Sequence, residues 1–244
     1  MKTLIIIPSR LSATRLPGKP LLKINGLSII SHVFKKAEEA NIGKVLVAAE
    51  DKEIVEDVKS NGGQAILTTK QHQTGTDRIN EVLEKIDSSD VDFIMNLQGD
   101  EPLMNIDDIR YLNNQMIKND SELGTLASKI LDERFYLNQN IVKVTSKESL
   151  NNSNFPEAIN FYRKIPAQSK NTYHHLGIYC YRKEVLKKFV SFNQSQNEIK
   201  NRLEQLRALD NNIRINVALA KASPIGVDTE EDLIAIKKIM EYKS

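Results

Sequence analysis

The chain has 244 residues, 40% of them hydrophobic and 27% charged, enough to bury the full core of one large α/β domain. With 34 basic residues against 32 acidic ones the formal net charge is only +2, which excludes nucleic-acid binding by bulk electrostatics, so any bound anion must meet a local cluster. Cys180 is the only cysteine, which excludes an intrachain disulfide and a cysteine-based zinc site and fits a reducing cytosol.

The apolar run "LIII" of residues 4–7 is stopped by Pro8, too soon for a signal-peptide core or a membrane span, and no later stretch approaches a span. A soluble, cytoplasmic protein is expected. "TLIII" reads as a first strand, followed by a loop over residues 8–21. "SIISHVFKKAEEANIG" then places Ile29, Ile30, Val33, Phe34 and Ala37 on one helical stripe, with Gly43 expected as a left-handed cap at its end. "KVLVAA" is a strand, "KEIVEDVKSNGG" a helix stopped by Gly62 and Gly63, and "QAILTT" a strand. "TDRINEVLEKID" is a helix with Ile79, Val82, Leu83 and Ile86 inward, and "VDFIMNL" a further strand. This alternation predicts βαβ units and a mostly parallel sheet covered on both faces.

The second half is less regular. Strands are predicted at "IVKVTS", "EAINFYRK", "YHHLGIYCYR" and "RINVALA", and helices at "KEVLKKFVSF", "RLEQLRALD" and "TEEDLIAIKKIMEYK", the last N-capped by Thr229. "SKESLNNSN" and "NQSQNEIKN" read as loop insertions.

In an open parallel sheet, ligands bind outside the carboxyl ends of the strands, which is where residues 8–21 fall. That loop has neither a dinucleotide glycine fingerprint nor a phosphate loop of the Gly-x-x-x-x-Gly-Lys type. It carries Arg10, Arg15 and Lys19 instead, which reads either as a solvated basic loop or as a side-chain cradle for a polyanion such as a nucleoside triphosphate. "NLQGDEP" favours the cradle. A strand ending in Gln98, Gly99 and Asp100 places a carboxylate at the same sheet edge, and Mg²⁺ takes one or two protein carboxylates plus phosphate oxygens. A second carboxylate is available at Asp228, just before the last helix. Glu230, Glu231 and Asp232 serve the dipole at that helix start, whereas Asp228 is not needed there; an ordinary turn is its alternative role.

In strand "YHHLGIYCY" a period of two sets Leu176 and Ile178 on one face and His175, Gly177 and Tyr179 on the other, polar one. The His174–His175 pair reads as structural, since zinc needs further ligands that no spacing here supplies, and His32 and His72 are given no catalytic role. In "RLEQLRALD", Leu203, Leu206 and Leu209 point to the core, leaving Glu204 and Gln205 for a site or a solvated face.

"IIPSRLSATRLPGKPL", "HQTGTDR", "NLQGDEP", "HLGIYCYR", "LEQLR" and "GVDTEEDL", in order along nearly the whole chain, resemble the 3-deoxy-manno-octulosonate (KDO) cytidylyltransferases. The resemblance implies a single domain over residues 1–244, an α/β nucleotidyltransferase of the glycosyltransferase-A-like, Rossmann-like type. A small antiparallel extension within about 140–210 would serve sugar binding and dimerisation. It implies Mg²⁺-dependent transfer of CMP from CTP to KDO for lipopolysaccharide synthesis, in a cytoplasmic homodimer with no nucleic-acid or membrane partner. By the same resemblance Arg10, Arg15 and Lys19 hold the triphosphate, Gly75, Thr76 and Arg78 lie by the cytidine, and Gln98 lies where nucleotide and sugar meet. Asp100 and Asp228 match metal carboxylates, and Arg163, His175, Tyr179, Glu204 and Gln205 match positions around the sugar acid; Arg10, Lys19, Asp100 and Asp228 would carry catalysis.

Several positions depart from the family pattern: Tyr162 before Arg163, "IPAQSK" without an aromatic residue, Glu50 closing "AAE", and Cys180 in place of a small residue. They read as clustering toward the sugar, so an amino-substituted acceptor such as 8-amino-KDO is the first alternative. Transfer to another sugar and a catalytically silent nucleotide-binding protein are the rivals. "HLGIYCYR" and "LEQLR" weigh against the first, and retention of Lys19, Asp100 and Asp228 weighs against the second. No nucleophile elbow or Ser-His-Asp set is visible, so direct in-line attack is expected.

Overall fold

A computed structural model describes residues 1–12, 15–69, 72–165, 170–223 and 226–241. Residues 13–14 of the cationic loop, 166–169 of the "IPAQSK" departure, 224–225 before Gly226 and 242–243 of the expected last helix lie outside the described residues. The chain divides into two compact units, Met1–Arg110 with Pro224–Ser244, and Tyr111–Ser223.

The first unit is the βαβ half. It contains β1 (Thr3–Ser9), a 3-10 turn at Lys19–Leu21, a minimal hairpin of β2 (Lys23–Ile24) and β3 (Leu27–Ser28), α1 (Ile29–Glu39), β4 (Gly43–Ala49), α2 (Lys52–Ser60), β5 (Ala65–Leu67), α3 (Gly75–Lys85) and β6 (Phe93–Asn96). α4 (Ile106–Asn119) carries the boundary between the units. The strands run β6-β1-β4-β5 and every pairing is parallel, with Thr3 opposite both Gly43 and Phe93. Ile5, Ile6 and Ile7 are fully buried, as a central parallel strand covered on both faces requires.

The α1 stripe predicted from periodicity is buried in full, and Ser28 caps the helix by accepting from the Ser31 N–H. The expectation for Gly43 is corrected. The helix stops at Ala40, Asn41 takes the left-handed conformation (φ 51), and Gly43 opens β4. Its glycine is required by close approach, because a Cβ there would overlap the Thr3 carbonyl oxygen. Gly62, by contrast, does take a left-handed turn (φ 86) after α2. α3 begins at Gly75 because Thr74 and Asp77 form a reciprocal capping box, and Ile86 closes it half-buried rather than as a core position.

The second unit holds β7 (Leu123–Ser128), α5 (Arg134–Leu137), β8 (Lys143–Ser146), β9 (Ala158–Tyr162), β10 (Thr172–Arg182), α6 (Lys183–Ser191), α7 (Gln196–Asn201), α8 (Leu206–Asp210) and β11 (Ile215–Leu219). β11 pairs parallel to β7, while β7–β10, β10–β8 and β8–β9 are antiparallel. The chain then returns to the first unit as α9 (Glu230–Glu241).

Two expectations change here. "NQSQNEIKN" contains α7 rather than only a loop, because Ser195 and Glu198 form a capping box and Glu198 is buried against Arg207 at 2.6 Å. "RLEQLRALD" is not one helix: Arg202 turns left-handed (φ 53), so Glu204 and Gln205 precede the short α8. The strict alternation predicted for β10 is also interrupted, by a register shift against β7 between Leu176 and Tyr179. The Thr125 hydroxyl fills the irregularity, donating to the Ile178 carbonyl (2.7 Å) and accepting from His175 Nε2 (3.0 Å). α4 and β7 were not distinguished by periodicity; β7, "LGTLAS", is buried at every position and so shows no alternation.

Gly43→Ala is expected to destabilise the protein by about 2 kcal/mol or more, since β1 and β4 must separate to admit a methyl group; urea denaturation measures this. His175 is held down to about 3 by burial, with the His174 charge adding to it. The folded state therefore resists protonation that the unfolded chain accepts, and stability falls as pH drops from about 6.5 toward 3, by about 1 kcal/mol per pH unit from this group. Thermal unfolding from pH 7 to 4 should show that decline, and His175→Gln should flatten part of it.

Candidate active site

Every chemically loaded segment of the first unit ends at the carboxyl edge of its sheet. β1 stops at Ser9 and delivers Arg10; Gly18, left-handed at φ 69, turns the loop into the 3-10 turn that starts with Lys19. β6 runs out through Gln98 and Gly99 to Asp100. At Gly99 a Cβ would lie 3.1 Å from the Pro8 carbonyl oxygen and 3.2 Å from Ile30 Cδ1, so a residue without a side chain lets this turn pack onto the end of β1.

The C-terminal segment reaches the same edge by a backbone hydrogen bond from Val227 N–H to the Asp100 carbonyl, 2.8 Å. Ile24, Ile29, Val227, Leu233 and Ile236 form a small buried core, with Leu16, Leu22 and Leu103 packed against it. Burying each such side chain is worth about 1.5–3 kcal/mol, so the loop, the hairpin and α9 are held as one body. Thr229 caps α9, its hydroxyl accepting from the Asp232 N–H at 3.2 Å, and the Asp232 carboxylate accepts in return from the N–H groups of Asp228 and Thr229 at 3.1 and 2.9 Å. Thr229 is thus the N-cap expected from the sequence, in a reciprocal capping box with Asp232, and the Asp228 carboxylate is turned to other partners.

Those partners are cations. Lys19 Nζ lies 2.6 Å from Asp100 Oδ2 and 3.3 Å from Asp228 Oδ1, and Arg15 reaches Asp228 Oδ2 at 3.0 Å. The two carboxylates therefore converge on a single positive charge. A cavity of about 370 Å³ opens here; Arg10, Arg15, Lys19, Gly75, Arg78, Gln98, Asp100 and Asp228 line it. Thr76 is buried behind this wall on α3 and its hydroxyl has no partner.

Sequence reasoning missed Glu101. Its carboxyl is pushed up to about 8 by burial and by the charges of Asp100 and Asp228, with Lys19 acting the other way, and its Oε2 is buried without a hydrogen bond. The signal was the doubled acid in "GDEP". Glu50 belongs here as well: it pairs with the cavity-lining Arg78, so this departure sits in the first unit, whereas Tyr162 and Cys180 lie in the second.

In the second unit, His175 packs against the Phe161 and Tyr179 rings, with centroids 5.0 and 5.4 Å apart. The Tyr179 hydroxyl is pushed up by burial and by the neighbouring Tyr181 and Glu204, so Glu204 belongs to this cluster, while Gln205 is buried beside it in sequence. Arg163 is engaged differently. Its guanidinium donates to the carbonyls of Asn201 (3.1 Å), Arg202 (3.1 Å) and Gln139 (3.2 Å), and its own carbonyl accepts from the buried Lys143 ammonium at 2.8 Å. Cys180 is buried and its thiol is pushed up by burial, which removes it as a nucleophile.

The family model described as cytidylyltransferase matches residues 4–215. A 3-deoxy-manno-octulosonate cytidylyltransferase of Rhodopseudomonas palustris (strain BisB18) is 42% identical over 243 residues, covering 99% of this chain and 98% of that protein. The enzyme of the same name from Nitrobacter winogradskyi is 40% identical, covering 98% and 94%. A solved CMP:2-keto-3-deoxy-manno-octonic acid synthetase complexed with CTP superposes with a TM-score of 0.90 at 34% identity over the whole of both chains. A UDP-glucose pyrophosphorylase complexed with UDP-glucose, 14% identical, shares the fold at a TM-score of 0.75. The mostly parallel α/β fold is that of a nucleotidyltransferase, and the chain belongs to the 3-deoxy-manno-octulosonate cytidylyltransferase family.

Proposed function

We propose that the protein transfers CMP from CTP to the anomeric hydroxyl of 3-deoxy-D-manno-octulosonate with release of pyrophosphate, and that Asp100 and Asp228 hold a Mg²⁺ ion for this reaction. The observation that carries the reading is the convergence of Lys19, Arg15, Asp100 and Asp228 at one end of a cavity that Arg10 and Arg78 also line.

The residues fit the metal. Two carboxylates already share one cation at 2.6 and 3.3 Å, and their oxygens are the donor type Mg²⁺ takes. Among the described residues no group of three His, Cys, Asp or Glu side chains forms a metal cluster, so phosphate and water oxygens would complete the shell. When bound, Mg²⁺ supplies charge neutralisation between two anionic substrates. Lys19, exposed by 13% at its side chain, is within reach of both carboxylates, and its ammonium would turn to the phosphates when they bind. Arg10 and Arg15 hold the charge that accumulates on the leaving pyrophosphate. The new O–Pα bond forms as the bond from Pα to the β-phosphate oxygen breaks and the anomeric hydroxyl gives up its proton to solvent, without a covalent enzyme intermediate.

A homodimer is part of the same reading, supported by Ile159 on β9 and Ile199 on α7, which are 55% and 54% exposed within the second unit. Residence in the cytoplasm is a further part of it; among the described residues no helix is long and apolar enough to cross a membrane.

Pyrophosphate release from CTP and Mg²⁺ should be seen with KDO and be absent with N-acetylneuraminate or no acceptor. Release with 8-amino-KDO alone would keep the nucleotidyl transfer and move the acceptor. Asp100→Asn should lower turnover by about a hundredfold or more with little change in melting temperature; near-normal turnover at saturating Mg²⁺ would contradict the metal role.

A further inference from the structure

β4 ends in an acidic turn, Glu50–Asp51, that touches both walls of the cavity without lining it. On one side the Glu50 N–H donates to the Ser9 carbonyl at 3.1 Å, and the Asp51 carboxylate accepts from the Leu11 N–H at 2.9 Å, which fixes the start of the cationic loop. On the other side the Glu50 carboxylate pairs with a terminal nitrogen of Arg78. Arg78 is only 3% exposed, and the Glu50 side chain 12%. Burial and the nearby Arg10 both disfavour the charge on Arg78, and Glu50 is the largest influence sustaining it.

Two cavity-lining residues carry buried polar atoms without partners, Ser9 Oγ and Arg78 Nε. Such atoms in a native structure call for a ligand or water. A guanidinium this deeply buried, with Arg10 near enough to disfavour its charge, would swing away or destabilise the wall if its carboxylate were lost.

We propose that Glu50 is a positioning residue for nucleotide binding: paired with Arg78, it holds that guanidinium in the cavity wall so that the site is formed before the nucleotide arrives. The role rests on the nucleotide reading of the cavity and assigns a function to a position that departs from the family pattern. Glu50 acts through Arg78 and touches no substrate. Its effect therefore falls on CTP affinity and not on the chemical step.

The test is calorimetric titration of CTP into the wild-type protein, Glu50→Gln, Arg78→Gln and the double variant, followed by steady-state kinetics. Glu50→Gln should weaken CTP binding and raise KM for CTP by about tenfold or more. Its kcat at saturating CTP and its KM for the acceptor should stay within about twofold of wild type. The double variant should bind no more weakly than Arg78→Gln alone. Glu50→Gln with wild-type affinity, or a loss that persists undiminished on the Arg78→Gln background, overturns the inference. Should Glu50→Gln fail to fold, Glu50→Asp serves: its carboxylate is drawn back by one methylene, and a loss that vanishes without Arg78 supports the role. No loss, or a loss independent of Arg78, overturns it. Wild-type protein unable to bind CTP would instead overturn the nucleotide reading, and this inference with it.

Discussion

The ammonium of Lys19 lies between the carboxylates of Asp100 and Asp228, and the first unit is arranged so that three distant parts of the chain can meet at that point. Two carboxylates facing each other without a cation would repel by several kcal/mol in a partly desolvated site. The lysine removes that cost in the ligand-free protein. In the proposed reaction a metal ion would take over that charge, since the oxygens already converge. Gly99 lets the β6 turn close onto Pro8, Val227 hydrogen-bonds the backbone of Asp100, and the small core around Ile24 and Ile236 holds the loop and α9 together.

The cationic loop is arranged on the same principle. Positive side chains gathered in one place repel one another, and the protein offsets this with paired acids. Asp228 meets Arg15, and Glu50 meets Arg78. Glu81 plays a related part on α3: burial acts against its charge, but Lys85, His72 and the Thr69 N–H hold its carboxyl down to about 2, pinning Thr69 and His72 to the helix. In the second unit the groups around His175 are neutral instead. His175 stays uncharged through the ordinary pH range, Tyr179 keeps its proton, and Arg163 is occupied by backbone carbonyls.

Much of the first unit was legible because its signals are local. Parallel strands buried on both faces read as unbroken apolar runs, and α1 and α3 carry their core residues at helical spacing. Asp228 was separable from its acidic neighbours because Thr229 caps α9 and Glu230, Glu231 and Asp232 occupy its first turn, which leaves Asp228 outside the helix. Gly43 was misread because a glycine after a helix has two possible causes, a left-handed turn or a close backbone contact, and only the pairing of Thr3 with Gly43 distinguishes them. α7 was missed although Ser195 and Glu198 spell a capping box, since the polar composition around them resembles a loop. The left-handed break at Arg202 falls on a residue type that does not advertise it, and the irregularity in β10 has no local signature because Thr125 lies 50 residues from His175. Glu101 was overlooked because its burial follows from packing that the sequence alone does not reveal.

The central claim is that Asp100 and Asp228 are a metal-binding pair kept ready by Lys19. Binding of Mn²⁺ in the presence of CTP, followed by electron paramagnetic resonance as a stand-in for Mg²⁺, tests it most directly. The account predicts a bound-Mn²⁺ signal in the wild-type protein beyond that of Mn²⁺ with CTP alone, and its loss in both Asp100→Asn and Asp228→Asn. A signal unchanged in both variants would contradict it.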